Sequence, residues 1–381
     1  MSSVRLFFAG DFCSKPSSSR IEVSNELKRL IQSCDVKVVN FEVPLKPDGV
    51  DMPPQKRERF YQNDDVPDFL RGLGFNLFSI ANNHMFDWGG EGFRKTKAAL
   101  GDGAFGAGTY EEAYKVKVVE VNETRIGFLA LSFAAYTGVF DDVTKHDGLG
   151  CAYINDLRVN HIIIEAKKEV DYLFVLPHDG IEYIDIPLPE TIVRYRDFID
   201  YGADGVFGTH PHCPQGWETY KGKPIFYSLG NFLFNSKEGY DYRATNRPHW
   251  YEGLCVLLSI DGSSFTVEVV NTRNIGNLQI IADHDLERVS HNSYLCSLLL
   301  NNDCFSQVLG MEVIRLSNKQ EIPIVVRFVF TLLGFKKAFK YLVKFCINSM
   351  KKRVAEKDLE FQYLLKNETR TKVLERGLFH L

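Results

Sequence analysis

The chain has 381 residues, 45% of them hydrophobic. That is enough for one large core plus a smaller appendage, because single cores stop growing near roughly 250–300 residues. A formal net charge of −4 gives no basic footprint of the kind that neutralises phosphates, which argues against a nucleic-acid partner.

From Val4 onward, short apolar runs rich in β-formers alternate with helical patterns, the pattern of a sheet covered by helices. The reading predicts a strand at Val4–Ala9, a helix at Ile21–Ser33, a strand at Val36–Val39, a helix at Val66–Gly72, a strand at Phe75–Ile80 and a helix at Gly89–Leu100. Lys115–Val121 and Arg125–Leu131 flank Asn122-Glu123-Thr124 as an antiparallel hairpin, where a second sheet begins. A helix at Val159–Lys168, a strand at Tyr172–Leu176, a helix at Ile192–Tyr201 and a short strand at Gly205–Phe207 follow. Two more hairpins are expected, Glu218–Tyr220 with Pro224–Tyr227 and Leu254–Ile260 with Phe265–Val270.

The expected fold is α/β, a two-sheet sandwich over residues 1–280, followed by a helical, partly basic extension over 281–381. In that extension Ile322–Phe335 is apolar and precedes Lys336, Lys337, Lys340 and Lys344. Two readings stay open there, a helix lying on an anionic membrane and, favoured, a helix packed on the domain with its lysines in water. The eight cysteines (13, 34, 151, 213, 255, 296, 304 and 346) form no CxxC pair and no dense framework, so reduced thiols in a cytoplasmic protein are expected. The run Leu6–Gly10 is too short for a signal-peptide core, and no stretch reaches the ~20 apolar residues of a membrane-spanning helix.

Residues of ligand type fall repeatedly just past the predicted strands, where loops of an α/β sheet converge. They are Gly10-Asp11, Asn40-Phe41-Glu42, Ala81-Asn82-Asn83-His84 with Asp87, His178, and Gly208-Thr209-His210-Pro211-His212. Singly, each has a structural explanation, such as a cap or a satisfied polar side chain. Jointly, four histidines with two carboxylates and an asparagine make a mixed nitrogen and oxygen donor set, which suits manganese, iron or zinc.

The order of these residues resembles the calcineurin-like metallophosphoesterases. The wording between them resembles the CapA family of capsule and poly-γ-glutamate biosynthesis proteins, over roughly residues 4–260. That resemblance rests on the five blocks above, on Pro177-His178-Asp179-Gly180-Ile181-Glu182-Tyr183, on Gln215 and on Tyr227-Ser228-Leu229-Gly230-Asn231-Phe232.

Carried over position by position, the resemblance implies one or two divalent ions. Asp11 and His212 would hold one, Asn83, His178 and His210 the other, and Glu42 would bridge them. His84 would stand beside the ions as a catalytic non-ligand. Cys13, Asn40, Asp87, Glu182 and Asn231 are expected around the ligands, bracing them or touching substrate. For Gly230 and Asn231 structural readings are favoured, Gly230 permitting a tight turn and Asn231 bonding nearby loop backbone.

Two departures from the wider superfamily stand out. Cys13 occupies a position that is usually a histidine ligand, and Glu42 replaces the usual bridging aspartate. A buried bystander thiol at Cys13 is the favoured reading. The activity implied is metal-assisted hydrolysis, two ions roughly 3.5–4 Å apart clamping the entering and leaving oxygens. Its target is a phosphoester or an amide-linked acidic polymer. The other implied role is a non-catalytic subunit of a membrane-associated complex that makes or exports capsule polymer. No phosphate-binding glycine loop accompanies these residues, which disfavours ATP-driven synthesis by this chain alone.

Overall fold

The computed structural model describes residues 3–50, 59–133, 139, 148–236, 249–262, 264–276 and 278–299. The expected membrane-lying or packed helix at 322–344 lies outside the described residues.

In chain order the strands begin with β1 (Val4–Ser14), β2 (Glu22–Val23), β3 (Val36–Phe41), β4 (Leu77–Ser79), β5 (Ala104–Phe105) and β6 (Ala107–Gly108). There follow β7 (Lys117–Val121), β8 (Thr124–Ser132), β9 (Gly150–Cys151), β10 (Tyr172–His178), β11 (Gly205–Phe207) and β12 (Trp217–Tyr220). The last are β13 (Lys223–Phe226), β14 (Asn231–Asn235), β15 (Glu252–Asp261), β16 (Ser264–Ile275) and β17 (Gln279–Ala282). The first sheet runs β2-β17-β16-β15-β1-β3-β4-β5, with β14 also paired to β1. The second runs β12-β13-β11-β10-β8-β7.

Helices cover these sheets where the apolar spacing predicts them, with one short addition, α4. They are α1 (Asn25–Gln32), α2 (Val66–Leu73), α3 (Gly89–Leu100), α4 (Tyr110–Ala113), α5 (Arg158–Ala166), α6 (Pro189–Asp200) and α7 (Leu286–Leu298). Ser24 caps α1 by accepting from the Leu27 amide, which is why the helix starts four residues inside the expected span. Gly74, in the left-handed region, ends α2.

The sheets pack face to face through aromatics. Phe8 of β1 stacks on Phe207 of β11 at 3.7 Å between ring centres and meets Phe174 of β10 edge-on at 5.7 Å. All three rings are buried, and each contributes roughly 1.5–3 kcal/mol through burial. Both sheets carry parallel strands at their centres, β1 with β3 and β14 in one and β10 with β8 and β11 in the other. The carboxyl ends of the two sets meet at one edge of the sandwich, where Glu42 after β3 lies 3.7 Å from His178 at the end of β10.

The predicted hairpins are present. Val121 pairs with Thr124, leaving Asn122 and Glu123, both at positive φ, as a two-residue turn. Tyr220 pairs with Lys223 around Lys221 and Gly222.

Two strand features differ from expectation. β1 continues five residues past Ala9, because β14 joins it in parallel from Asp11 to Ser14 and supplies the backbone partners. β14 and β17, with the two-residue strands β2, β5, β6 and β9, have no counterpart in the sequence reading. The first compact unit extends from Met1 to Leu299, and within it Gly216 lies against the backbone of Leu295 and Cys296 in α7. Among the described residues, no helix is long and apolar enough to cross a membrane.

Candidate metal centre

Asp11 lies inside β1, where the register against both β3 and β14 shifts. The kink turns its carboxylate out of the pleat at the mouth of the sandwich. Gly10 makes this approach possible. A Cβ there would sit 1.9 Å from the Gly230 carbonyl oxygen, the same oxygen that accepts from the Asp11 amide at 2.9 Å. Gly208 plays the matching part beneath the histidine loop, its missing Cβ leaving room for the Tyr227 carbonyl.

Glu42 follows β3, Asn83 and His84 follow β4, His178 ends β10, and Thr209 to His212 follow β11. His210 and His212 both have positive φ, 101° and 56°. Non-glycine residues rarely adopt this region, and strain of this kind gathers at functional sites.

Two groups of donor atoms result, and Glu42 belongs to both. Glu42, His178 and His210 form one, and Asp11, Glu42 and His212 the other. Glu42 Oε1 lies 3.7 Å from His178 Nε2 and 3.5 Å from His212 Nε2. His210 Nδ1 is 3.2 Å from His178 Nε2, and Asn83 Oδ1 is 2.9 Å from the same nitrogen. Asp11 Oδ2 lies 3.5 Å from His212 Nδ1. The structure thus gathers Asp11, Glu42, Asn83, His178, His210 and His212 at one point.

The residues around them hold the rings in place. Asn40 donates to Asp11 Oδ1 at 2.7 Å, and the His210 amide donates to Asp11 Oδ2 at 3.1 Å. His178 Nδ1 is 3.0 Å from Thr209 Oγ1 and 3.2 Å from Asn40 Nδ2. Asn231 lies 2.9 Å from His212 Nδ1 through its oxygen and donates to the backbone of Trp250 and His212. Its amide therefore bonds loop backbone, as read from sequence, and its oxygen meets a ring as well. His84 is bonded through Nδ1 to Asp87 Oδ2 at 3.0 Å and is close enough to act electrostatically on His178 and His210. Glu182 stands half-buried at the edge, and its charge reaches Glu42. Cys13 packs with Val43, Phe234 and Trp250, and burial pushes its thiol well above the usual range.

Burial shifts the protonation of Asp11, Glu42, His178 and His210. It pushes Asp11 up to about 6, against the hydrogen bonds from Asn40 and His210. It raises Glu42 well above the ordinary carboxylate range, with the neighbouring Asp11 charge adding to the effect. Burial also lowers His178 and His210 well below the imidazole range, helped by the charges of neighbouring imidazoles. Without a cation Glu42 keeps its proton, and His178 and His210 stay neutral.

A divalent cation fits this donor set. Glu42 is fully buried, yet neither of its oxygens has a hydrogen-bond partner among the described residues. Buried acceptors of that kind call for a donor or a cation, and a cation would reverse the rise in both carboxyl groups.

The aromatic walls were not anticipated from sequence. Phe133 lies 4.4 Å from the His210 ring, Phe234 and Trp250 lie 4.6 and 4.9 Å from His212, and Phe60 meets His84 edge-on at 5.0 Å. Phe133 follows β8 and obeys the same strand-end rule as the ligands. Pairing of β14 with β1 brings in Phe234, and Phe60 and Trp250 come from loops that carry no local signal.

Residues 5–236 match the family described as bacterial capsule synthesis protein PGA_cap. The chain belongs to this family. The capsule biosynthesis protein CapA of Bacillus anthracis is 32% identical over 173 residues, covering 44% of this chain and 42% of that protein. The PGA biosynthesis protein CapA of Bacillus subtilis (strain 168) is 29% identical over 211 residues, covering 54% and 55%. The chain therefore spans about half the length of these relatives. A crystal structure of a phosphatase from Mycoplasma pneumoniae aligns with a TM-score of 0.44 and 16% identity, over 71% of this chain and 94% of that one.

Proposed function

We propose that this PGA_cap protein is a metal-dependent hydrolase of capsule or poly-γ-glutamate biosynthesis, acting with water on a phosphoester or an amide-linked acidic polymer. The observation that carries this reading is Glu42, buried, with no N–H or hydroxyl donor to either oxygen among the described residues, and shared between the two donor groups. Asp11, Glu42 and His212 would hold one ion, and Glu42, His178, His210 and the Asn83 oxygen the other. Manganese, iron and zinc suit these donors. When bound, such ions polarise the electrophile and lower the pKa of a water.

The remaining steps belong to side chains. Asn40 and the His210 amide keep Asp11 aimed, and Asn231 fixes the His212 ring. Phe133, Phe234 and Trp250 exclude bulk water and strengthen every electrostatic contact inside. His84, oriented by Asp87, delivers a proton to the leaving group.

Elemental analysis of purified protein tests the reading first. His210→Ala and Glu42→Ala should lose metal and turnover together on a panel of phosphomonoesters, phosphodiesters and γ-glutamyl amides. Full metal content in the His210 variant would overturn the assignment.

The names of the B. anthracis and B. subtilis relatives, which refer to biosynthesis, favour a second reading, since assembling a polymer needs no hydrolytic turnover. In it the ions brace a non-catalytic subunit of a capsule-synthesis complex at the membrane. Stoichiometric metal without turnover on any substrate of the panel would select it.

A further inference from the structure

Asp185, His249 and His291 converge outside the centre described above. Asp185 belongs to the loop between β10 and α6, His249 precedes β15, and His291 lies on α7. His291 Nε2 is 2.9 Å from Asp185 Oδ2, and His249 Nε2 is 3.6 Å from the same oxygen. The two imidazoles stand parallel, 4.8 Å between ring centres with 10° between planes. Zinc bonds of about 2.0–2.2 Å in tetrahedral geometry place ligand atoms roughly 3.3–3.5 Å apart, and the two distances to Asp185 bracket that value.

The groups behind the cluster also fit a ligand role. Glu252 Oε2 lies 2.8 Å from His249 Nδ1. A carboxylate in that place holds the proton on Nδ1 and leaves the Nε2 lone pair facing Asp185, the arrangement that prepares a histidine for a metal. Arg288, the cation beside Glu252, is itself ion-paired to Glu252 and to Asp283. Side-chain exposures of 13%, 27% and 32% for Asp185, His249 and His291 leave the cluster open to an ion from solvent.

We propose that Asp185, His249 and His291 form a second cation site, of borderline-soft character and suited to Zn²⁺, with water completing the shell. Its role is structural. Asp185 is two residues from Tyr183, whose ring stacks on His212, and His249 adjoins Trp250, which packs on the same ring. An ion here ties α7 to the two loops that wall His212, so occupancy steadies the neighbouring centre without joining its chemistry.

The test is Zn²⁺ titration of chelator-stripped, full-length protein against a colorimetric competitor. Wild type should take up one equivalent more than His291→Ala or Asp185→Asn, the latter keeping side-chain volume if the former folds poorly. His210→Ala should retain that equivalent, and adding His291→Ala to it should remove it. Because the His210 background is measured separately, a failure of the catalytic assignment stays distinguishable from a failure here. In that background Co²⁺ should give visible tetrahedral absorption that Asp185→Asn abolishes. Equal zinc uptake by wild type and Asp185→Asn would overturn the proposal, leaving two histidines that merely hydrogen-bond an aspartate.

Discussion

The side-chain oxygen of Asn231 lies 2.9 Å from Nδ1 of His212. With Nδ1 carrying the proton in that bond, the lone pair of His212 resides on Nε2, the nitrogen 3.5 Å from Glu42 Oε1. Residues that orient a metal-binding ring in this way are worth about 10–100-fold in metal affinity. Asn231→Ala should therefore bind the ion 10–100-fold more weakly by calorimetric titration while its circular dichroism stays that of wild type. An unchanged affinity would remove Nε2 of His212 from the ligand set.

Glu42 has a stability signature of its own. Its folded-state pKa stands well above the ordinary 4.5, so the metal-free folded protein keeps a proton that the unfolded chain releases. That contribution is present below about 4.5 and is lost as pH rises through the folded-state value. Asp11, shifted from 3.8 to about 6, acts in the same direction. His178 and His210 act oppositely, because depression below 6.5 makes their contribution fade as pH falls from that value. Comparing wild type with Glu42→Gln cancels the histidine terms and reads Glu42 together with its coupling to Asp11. In chelator, Glu42→Gln should be the more stable protein above pH ~4.5, by a margin growing at most about 1.4 kcal/mol per pH unit. Added metal should invert the order. Thermal unfolding in chelator across about pH 4 to 8 reads this directly, and a margin flat with pH would mean that Glu42 does not titrate as a buried acid.

The parts legible in sequence were those written locally. Hairpin turns at Asn122-Glu123 and Lys221-Gly222, the helix pattern of α3, and polar residues placed after apolar strands all follow from neighbouring residues. What escaped reading depends on long-range pairing. β1 extends past Ala9 only because β14, more than two hundred residues later, lies beside it, and that extension puts Asp11 within a strand rather than in the loop expected. Phe234 reaches His212 for the same reason, and Trp250 reaches it from a loop that carries no local signal. The cluster of Asp185, His249 and His291 was equally invisible, since two of its members sit where the sequence shows ordinary polar surface.

Gly10 gives a prediction about backbone rather than charge. A methyl group there would stand 1.9 Å from the Gly230 carbonyl oxygen, and neither strand can yield without disturbing the Asp11–Gly230 hydrogen bond. Overpacking costs typically 1–3 kcal/mol and more against fixed backbone, so Gly10→Ala should lose about 3 kcal/mol or more in urea denaturation and bind metal poorly. Gly72 of α2, with nothing within 4 Å of its hypothetical Cβ, is the control. Gly72→Ala should gain about 0.5–1 kcal/mol through helix propensity. A mild effect at Gly10 would show that β14 does not hold β1 as tightly as the register implies.

His84 separates catalysis from metal binding. Its Nδ1 is committed to Asp87, it belongs to neither donor group, and Phe60 covers one side of it. A general acid so placed is worth about 10²–10⁴ in rate. On whichever substrate of the panel is turned over, His84→Ala should retain its metal by elemental analysis and fall 10²–10⁴-fold in kcat. Asp87→Asn should lose less, because it leaves the imidazole present but less well oriented. Loss of metal from His84→Ala would instead make His84 a ligand. Full kcat in that variant would assign the proton to another group, and Glu182, whose charge already reaches Glu42, is the next acid to replace.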